Sequence, residues 1–235
     1  MATIYLIRHG QASFGAANYD KLSPLGERQA EVVGQYFRKC DINLDAAYSG
    51  DLSRQRDTAE RVLKEQKHEV EHIVDDRFNE VKNDEHVEFF KDKIIERDPA
   101  LAKKLTDNSF TSKDYQKIVE AVFTYWVSPE CTDTRTQSWD DYSTNVKNAL
   151  SDVMQNQGGG KKIAIFTSGG TIATIVSQVL GLSGEHAYKF YEPVINCSVT
   201  QLFYSQTRVS LSHFNDHSFL DVMGREAGGN LVTYR

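Results

Sequence analysis

The chain has 235 residues, 40% of them hydrophobic and 26% charged, with a formal net charge of -6. That length suits one large domain, or one domain with a sizeable insertion, and the composition is that of an ordinary globular protein. The acidic balance gives no sign of a surface for nucleic acid or anionic lipid, and no apolar run has the length of a membrane-spanning helix, so a site for an anionic ligand is read as a local cationic pocket in an acidic protein.

The run Thr3-Ile4-Tyr5-Leu6-Ile7 is apolar and β-prone with almost no polar alternation, the pattern of a buried central strand. It ends directly in Arg8-His9-Gly10. The chain enters this strand without a basic stretch or cleavage site, so no secretory leader is read. A loop through Asn18-Tyr19-Asp20 leads to Ser23-Pro24, a serine N-cap with proline at the first helical position. Ala46–Ser49 reads as a short strand, residues 52 to about 66 as a second helix burying Leu52, Ala59, Val62 and Leu63, and residues 70–74 as a further strand. From about 84 to 128 the pattern turns helical. Phe89, Phe90, Ile94 and Ile95 belong to a helix that Pro99 interrupts, and Tyr115, Ile118, Val119, Val122, Phe123 and Trp126 recur at helical spacing. This insertion could lie over a site as a lid or merely enlarge the core. Tyr142, Val146, Ala149, Leu150 and Val153 mark another helix, stopped by Gly158-Gly159-Gly160. Residues 162–166 are a strand, Thr167-Ser168-Gly169-Gly170 a turn, and Ile172, Ile175, Val176, Val179 and Leu180 one helical stripe. Residues 199–204 and 209–213 alternate like the strands of a hairpin.

Strands alternating with helices predict an α/β fold: a three-layer α/β/α sandwich with a mostly parallel central sheet and a helical insertion, all in one domain over 1–235. Right-handed crossovers would bring Arg8-His9 and Thr167-Ser168-Gly169 to one sheet edge, where open α/β sheets keep their ligand sites. An imidazole there can attack phosphorus while a guanidinium holds the phosphoryl oxygens, although a strand-end histidine can also simply cap a carbonyl. The three cysteines, Cys40, Cys131 and Cys197, are scattered and lack C-x-x-C spacing, which suits a reduced, cytoplasmic setting and argues against a zinc site. His213 and His217 are four apart, but their surroundings read as strand end and turn, so that spacing carries no metal-binding meaning. His68, His72, His86 and His186 read as surface residues, Trp126 and Trp139 as packing anchors, and Arg56 and Arg77 as exposed partners for acids such as Asp57 and Glu60.

Two more segments align with the first. Ser49-Gly50-Asp51-Leu52-Ser53-Arg54-Gln55-Arg56-Asp57-Thr58-Ala59-Glu60 sets Arg54 in the first turn of a helix after a strand, and Arg77-Phe78-Asn79-Glu80 sets an acid just after a strand and short loop. Together with Arg8-His9-Gly10 and Asn196-Cys197-Ser198-Val199-Thr200, they resemble the histidine phosphatase superfamily, the phosphoglycerate mutase-like family, over essentially the whole chain. The resemblance implies that His9 attacks phosphorus and becomes a phosphohistidine, that Arg8 and Arg54 clamp the nonbridging oxygens, and that Glu80 protonates the leaving oxygen. For that task the Glu80 pKa must rise above the ordinary ~4.3. Gln11, Ser168 and Gly169 are further candidate substrate contacts, Gln11 being equally readable as a solvated loop residue. The implied partner is a small phosphorylated substrate or a phosphorylated protein side chain, with no cofactor, no metal, no nucleic acid and no membrane; the oligomeric state is not read.

Two departures qualify the resemblance. The family usually carries a second histidine in a His-Gly turn after the strand at 162–166, and Ser168 stands at that place here. Loss of one preorganised donor costs ~10²–10³ in rate, so a phosphohydrolase of low activity is expected, with a non-catalytic phospholigand-binding protein as the alternative. The N–H groups of Gly169, Gly170 and Thr171 and the Thr167 and Ser168 hydroxyls are expected to supply donors instead. The mutase branch carries an asparagine six residues after its nucleophilic histidine, followed by a Gly-Trp pair; Gly15 occupies that position, which favours hydrolase over mutase.

Overall fold

The computed structural model describes residues 1–13, 20–97, 101, 103, 111–226 and 228–234. Gly15, with its loop, and Pro99 lie outside the described residues. The predicted elements form in order: β1 (Ala2–Arg8), α1 (Pro24–Lys39), β2 (Ala46–Ser49), α2 (Ser53–Leu63) and β3 (His72–Val74). A 3₁₀ turn, Asp76–Phe78, precedes α3 (Asn83–Arg97), α4 (Ser112–Trp126) and α5 (Trp139–Gln157). The second half continues with β4 (Lys162–Thr167), α6 (Gly169–Val179), α7 (Ala187–Tyr191), β5 (Val199–Tyr204), β6 (Val209–Asp216) and α8 (Ser218–Glu226).

Local chemistry explains the boundaries. Ser23 caps α1, its Oγ accepting from the Gly26 N–H at 3.0 Å, with Pro24 at the first position where no donor is missed. Helix α5 stops where Gly158 takes φ +67°. Helix α6 ends at Val179, and Leu180, expected in its buried stripe, is 45% exposed.

The strands form one sheet in the order β3-β2-β4-β1-β5-β6. β1 to β4 run parallel, whereas β5 and β6 pair antiparallel as the expected hairpin. Both faces are covered. Tyr5, Ile7, Ala164 and Phe166 pack against Val33 and Phe37 of α1, Ala59 and Val62 of α2 and Phe219 of α8. The alternate residues Ile4, Leu6, Ile163 and Ile165 face a second cluster that includes Phe123, Trp126, Val146 and Ile175. This period of two, with apolar side chains on both faces, is why β1 reads as an unbroken apolar run.

Helix α4 contributes to the core and to the wall of a cavity. Ile118, Val122, Phe123 and Trp126 are buried in the core, while Tyr115 and Val119 line a cavity. His86 departs from its surface assignment. It is 2% exposed, its ring centroid is 4.4 Å from that of Trp126, and burial lowers its pKa to about 4. One aromatic partner, Phe90, lies a turn along α3 with ring centroids 5.4 Å apart; the nearer one, Trp126, comes from α4, which periodicity within α3 does not reveal. No helix among the described residues is long and apolar enough to cross a membrane.

Candidate active site

Register brings the motifs together. Arg8 pairs with Thr167 across β1 and β4, and Ser49 pairs with Phe166 across β2 and β4, so these strands end on one edge. The chain leaves β1 towards β2 on one side and leaves β4 towards β5 on the other. The β1/β4 boundary is therefore a switch in strand order, the place where such sheets hold ligands.

His9 lies one residue beyond β1. Its main-chain N–H donates to the Thr167 carbonyl at 2.9 Å, and its carbonyl accepts from Asn196 Nδ2 at 3.2 Å. The residue is 4% exposed. Nδ1 is 2.7 Å from the Gly10 carbonyl, which can only accept, so Nδ1 carries the proton and Nε2 keeps its lone pair. The Arg54 Nε–H donates to that Nε2 at 3.2 Å. Burial, then the guanidiniums of Arg54 and Arg8, hold the His9 pKa well below the ordinary histidine range, against the smaller pull of the Gly10 carbonyl. The ring is thus neutral at pH 7, as a nitrogen nucleophile must be.

Arg54 sits in the first turn of α2 and is 7% exposed. Leu52 at the N-cap offers no side-chain cap, and Asp20, from the segment before α1, supplies one. One Asp20 oxygen accepts from the Ser53 N–H at 2.8 Å and the other from Arg54 Nη1 at 2.7 Å. Asp20 escaped sequence reasoning because it lies 34 residues before Arg54 in a loop without periodicity. Leu52 itself, expected in the core, is half-buried and lines the cavity. Arg8 Nη1 donates to the carbonyls of Val194 and of Tyr234, the latter at 2.9 Å, which draws the C-terminal segment to the same edge.

Glu80 follows the 3₁₀ turn. Its Oε1 accepts from the Val81 N–H at 2.9 Å and the Gly170 N–H at 3.0 Å. A Cβ on Gly170 would overlap this carboxylate, so the close approach requires glycine. Burial raises the Glu80 pKa, outweighing Arg54, Arg8 and the two N–H donors. The N-terminal N–H expected for phosphate is therefore directed to Glu80. Likewise the Thr167 hydroxyl donates to the Phe78 carbonyl at 2.5 Å and the Thr171 hydroxyl to the Asn79 carbonyl at 2.8 Å, fixing the acid's segment and not a ligand.

Arg8, His9, Arg54 and Glu80 share the wall of one cavity of about 410 Å³. The other three candidates are not among its lining residues. Gln11 accepts from Ser23 Oγ at 2.9 Å and so braces the start of α1. Gly169 is buried against Tyr191, whose ring would lie 3.0 Å from a Cβ there. Ser168 is 0% exposed, and its Oγ accepts from Gln55 Nε2 at 2.8 Å. Gln55 also donates to the Phe78 carbonyl at 3.2 Å, so this amide joins α2, the acid's segment and the β4–α6 turn. Arg56 and Arg77 lie off the cavity, paired with Asp51 at 3.8 Å and with Asp75 and Asp152 at 2.6 and 2.8 Å, in place of Asp57 and Glu60.

The Gln55–Ser168 contact fixes what a histidine at 168 would do. Ser168→His drives an imidazole into the Gln55 amide. The single variant is expected to lose about 1–3 kcal/mol through overpacking and to turn over more slowly than the wild type. Adding Gln55→Ala opens the volume, and the double variant is expected to exceed Ser168→His in phosphoryl transfer. Thermal melts with steady-state rates check this; a single variant as stable as wild type and faster would show that the imidazole finds room.

A six-stranded sheet with this strand order, and a buried imidazole sharing a cavity with two guanidiniums at its carboxyl edge, places the protein in the phosphoglycerate mutase-like class of α/β protein. Solved structures share the fold at low identity. Phosphoserine phosphatase of Entamoeba histolytica in complex with phosphoserine matches with TM-score 0.65 and 19% identity over 94% of this chain and 100% of that one. A mycobacterial glucosyl-3-phosphoglycerate phosphatase matches with TM-score 0.63 and 18% identity, covering 91% and 98%. A phosphoglycerate mutase from Bacillus anthracis matches with TM-score 0.62 and 20% identity, covering 93% and 94%. The family model of the histidine phosphatase superfamily (branch 1) matches residues 4–217, and the chain belongs to that superfamily. A broad-specificity phosphatase of Saccharomyces cerevisiae is 36% identical over 72 residues, a match spanning 28% of this chain and 31% of that protein's length.

Proposed function

We propose that the protein is a phosphohydrolase that removes the phosphoryl group from a phosphomonoester through a phosphohistidine on His9. The observation that carries this reading is the neutral, buried His9 imidazole, its Nε2 beside Arg54, in the same cavity as Arg8 and Glu80. Family membership and the names of its relatives, several of them phosphatases, support it.

In the first half-reaction the Nε2 lone pair forms a bond to phosphorus as the bond from phosphorus to the alcohol oxygen breaks. Glu80 gives its proton to that oxygen, and the alcohol leaves. Arg8 and Arg54 hold the three equatorial oxygens, where charge concentrates. In the second, water attacks phosphorus, its proton passes to the Glu80 carboxylate, the bond to Nε2 breaks and phosphate departs. The sum is ester plus water giving alcohol plus phosphate. The insertion at about 84–128 supplies specificity through Tyr115 and Val119. Neither metal nor organic cofactor is needed, and turnover is expected to persist in EDTA.

The active form has His9 neutral and Glu80 protonated. Protonation of His9 sets the acid limb of kcat/KM, below the ordinary histidine range because its pKa is lowered; ionisation of Glu80 sets the alkaline limb, above the ordinary carboxylate range because its pKa is raised. Glu80→Gln is expected to cut kcat/KM for an alkyl phosphate by roughly 10²–10⁴ and to remove the alkaline limb. With p-nitrophenyl phosphate, whose leaving group needs no proton, the same variant is expected to release nitrophenol in a burst and then stall. An unchanged alkaline limb would remove Glu80 from the mechanism. The burial of Ser168 away from the cavity favours a second reading, phospholigand binding without turnover, which predicts tight phosphate binding and no phosphohistidine.

A further inference from the structure

We propose that the cavity selects a phosphomonoester whose alcohol carries an ammonium group, a phosphorylated amino alcohol. The inference rests on the phosphatase reading of the same site.

Among the described residues, the cavity changes sign from floor to mouth. Arg8 and Arg54 make the floor cationic around His9. The wall farther out carries Asp84, at the start of α3, and Glu192, just after α7, both exposed. Lys82 is there too, but Glu85 pairs with it at 3.1 Å, so the pair contributes little net field. Tyrosines complete the lining: Tyr115 from α4 beside Asp84, Tyr188 and Tyr191 from α7, and Tyr234, with Tyr191 packed beside Gly169 and Arg8 and the Tyr234 carbonyl accepting from Arg8.

These groups are held in place. The Tyr115 hydroxyl donates to Asp84 Oδ1 at 3.0 Å, and the Gln116 amide donates to Glu192 Oε1. The Asn83 amide donates to the Tyr191 hydroxyl at 2.6 Å, which fixes that ring beside Gly169. The two carboxylates and the Tyr115 and Tyr191 rings are therefore held in place by the protein itself.

A ligand that fits both ends carries a dianion for the floor and, a few bonds away, a cation for the mouth. An ammonium group gains from the carboxylates and from the aromatic rings. A second anion in that place, such as the carboxylate of a phosphoglycerate, meets Asp84 and Glu192 and is repelled. An uncharged alcohol of the same shape fills the space without either effect.

The decisive comparison uses choline phosphate and 3,3-dimethylbutyl phosphate, which differ in one atom and one charge. The wild-type protein is expected to prefer choline phosphate by roughly tenfold in kcat/KM at low salt, from the carboxylates and the aromatic rings together. The preference is expected to shrink in Asp84→Asn/Glu192→Gln and with added salt, because the share from the exposed carboxylates is lost or screened, while the share from the rings persists. 3-Phosphoglycerate is expected to be the poorest of the three. Equal or inverted kcat/KM for the isosteric pair, in protein that turns over p-nitrophenyl phosphate, overturns the inference and leaves the phosphatase reading intact. No turnover of any ester overturns the phosphatase reading instead. Calorimetric titration of the two esters into the His9→Ala variant then decides the inference on its own: tighter binding of choline phosphate supports the cation-selective mouth, and equal Kd values overturn it.

Discussion

His9→Ala is expected to abolish covalent phosphoryl transfer and to lower turnover by on the order of 10⁴-fold or more. Wild-type protein quenched within its first turnover of a radiolabelled phosphomonoester is expected to carry acid-labile, base-stable label, and the variant none. The size of the effect follows from the geometry. His9 is the imidazole among the cavity-lining residues, its Nδ1 proton is held by the Gly10 carbonyl, and its Nε2 lone pair is thereby the available nucleophile. Alanine leaves Arg8, Arg54 and Glu80 in place, so phosphate binding survives while the P–N bond cannot form. Thermal melts of the variant separate this loss from misfolding, since the main-chain bonds of residue 9 to Thr167 and Asn196 do not involve the ring. Label that persists in the variant would move the nucleophile elsewhere. Tight phosphate binding by the wild type without label would support the binding-protein reading.

Arg54→Ala is expected to cost ~10²–10³ in kcat/KM, the range for a preorganised charged donor at a phosphoryl group. It also carries a signature that simple loss of affinity lacks. Arg54 is the second largest cause, after burial, of the lowered His9 pKa. Without that cation a charged ring is repelled less, and Asp20 loses the Arg54 guanidinium, so the His9 pKa rises. The acid limb of kcat/KM must therefore move to higher pH. Arg54→Lys keeps the charge but loses the planar fork that reaches Asp20 and His9 together, so it is expected to restore the limb more than the rate. A limb that stays in place in Arg54→Ala would show that Arg54 does not control the nucleophile.

These two variants address residues that the sequence already marks. Arg8-His9-Gly10 stands out because a strand buried on both faces has no polar alternation to hide a charged terminus. Arg54 is legible because a strand, a short turn and an apolar stripe define the first turn of α2 without knowledge of anything else. The α/β layering follows from the same local periodicities, as does the Ser23-Pro24 start of α1. Glu80 is harder, since its place depends on a three-residue strand and a 3₁₀ turn that have little period of their own.

What a residue touches across the sheet is another matter. Asp20 reaches Arg54 over 34 residues, Gln55 reaches Ser168 over 113, and Arg8 meets the Tyr234 carbonyl over 226. The Ser168 hydroxyl, a candidate phosphate contact by its place in the β4–α6 turn, receives a buried amide from Gln55. His86, among charged neighbours in the chain, packs on Trp126. The amino-acid order determines elements and the residues at their ends, because helix and strand periods and end caps are short-range. Tertiary structure alone decides which of those ends confront one another, because that depends on strand register and helix packing between segments far apart in the chain.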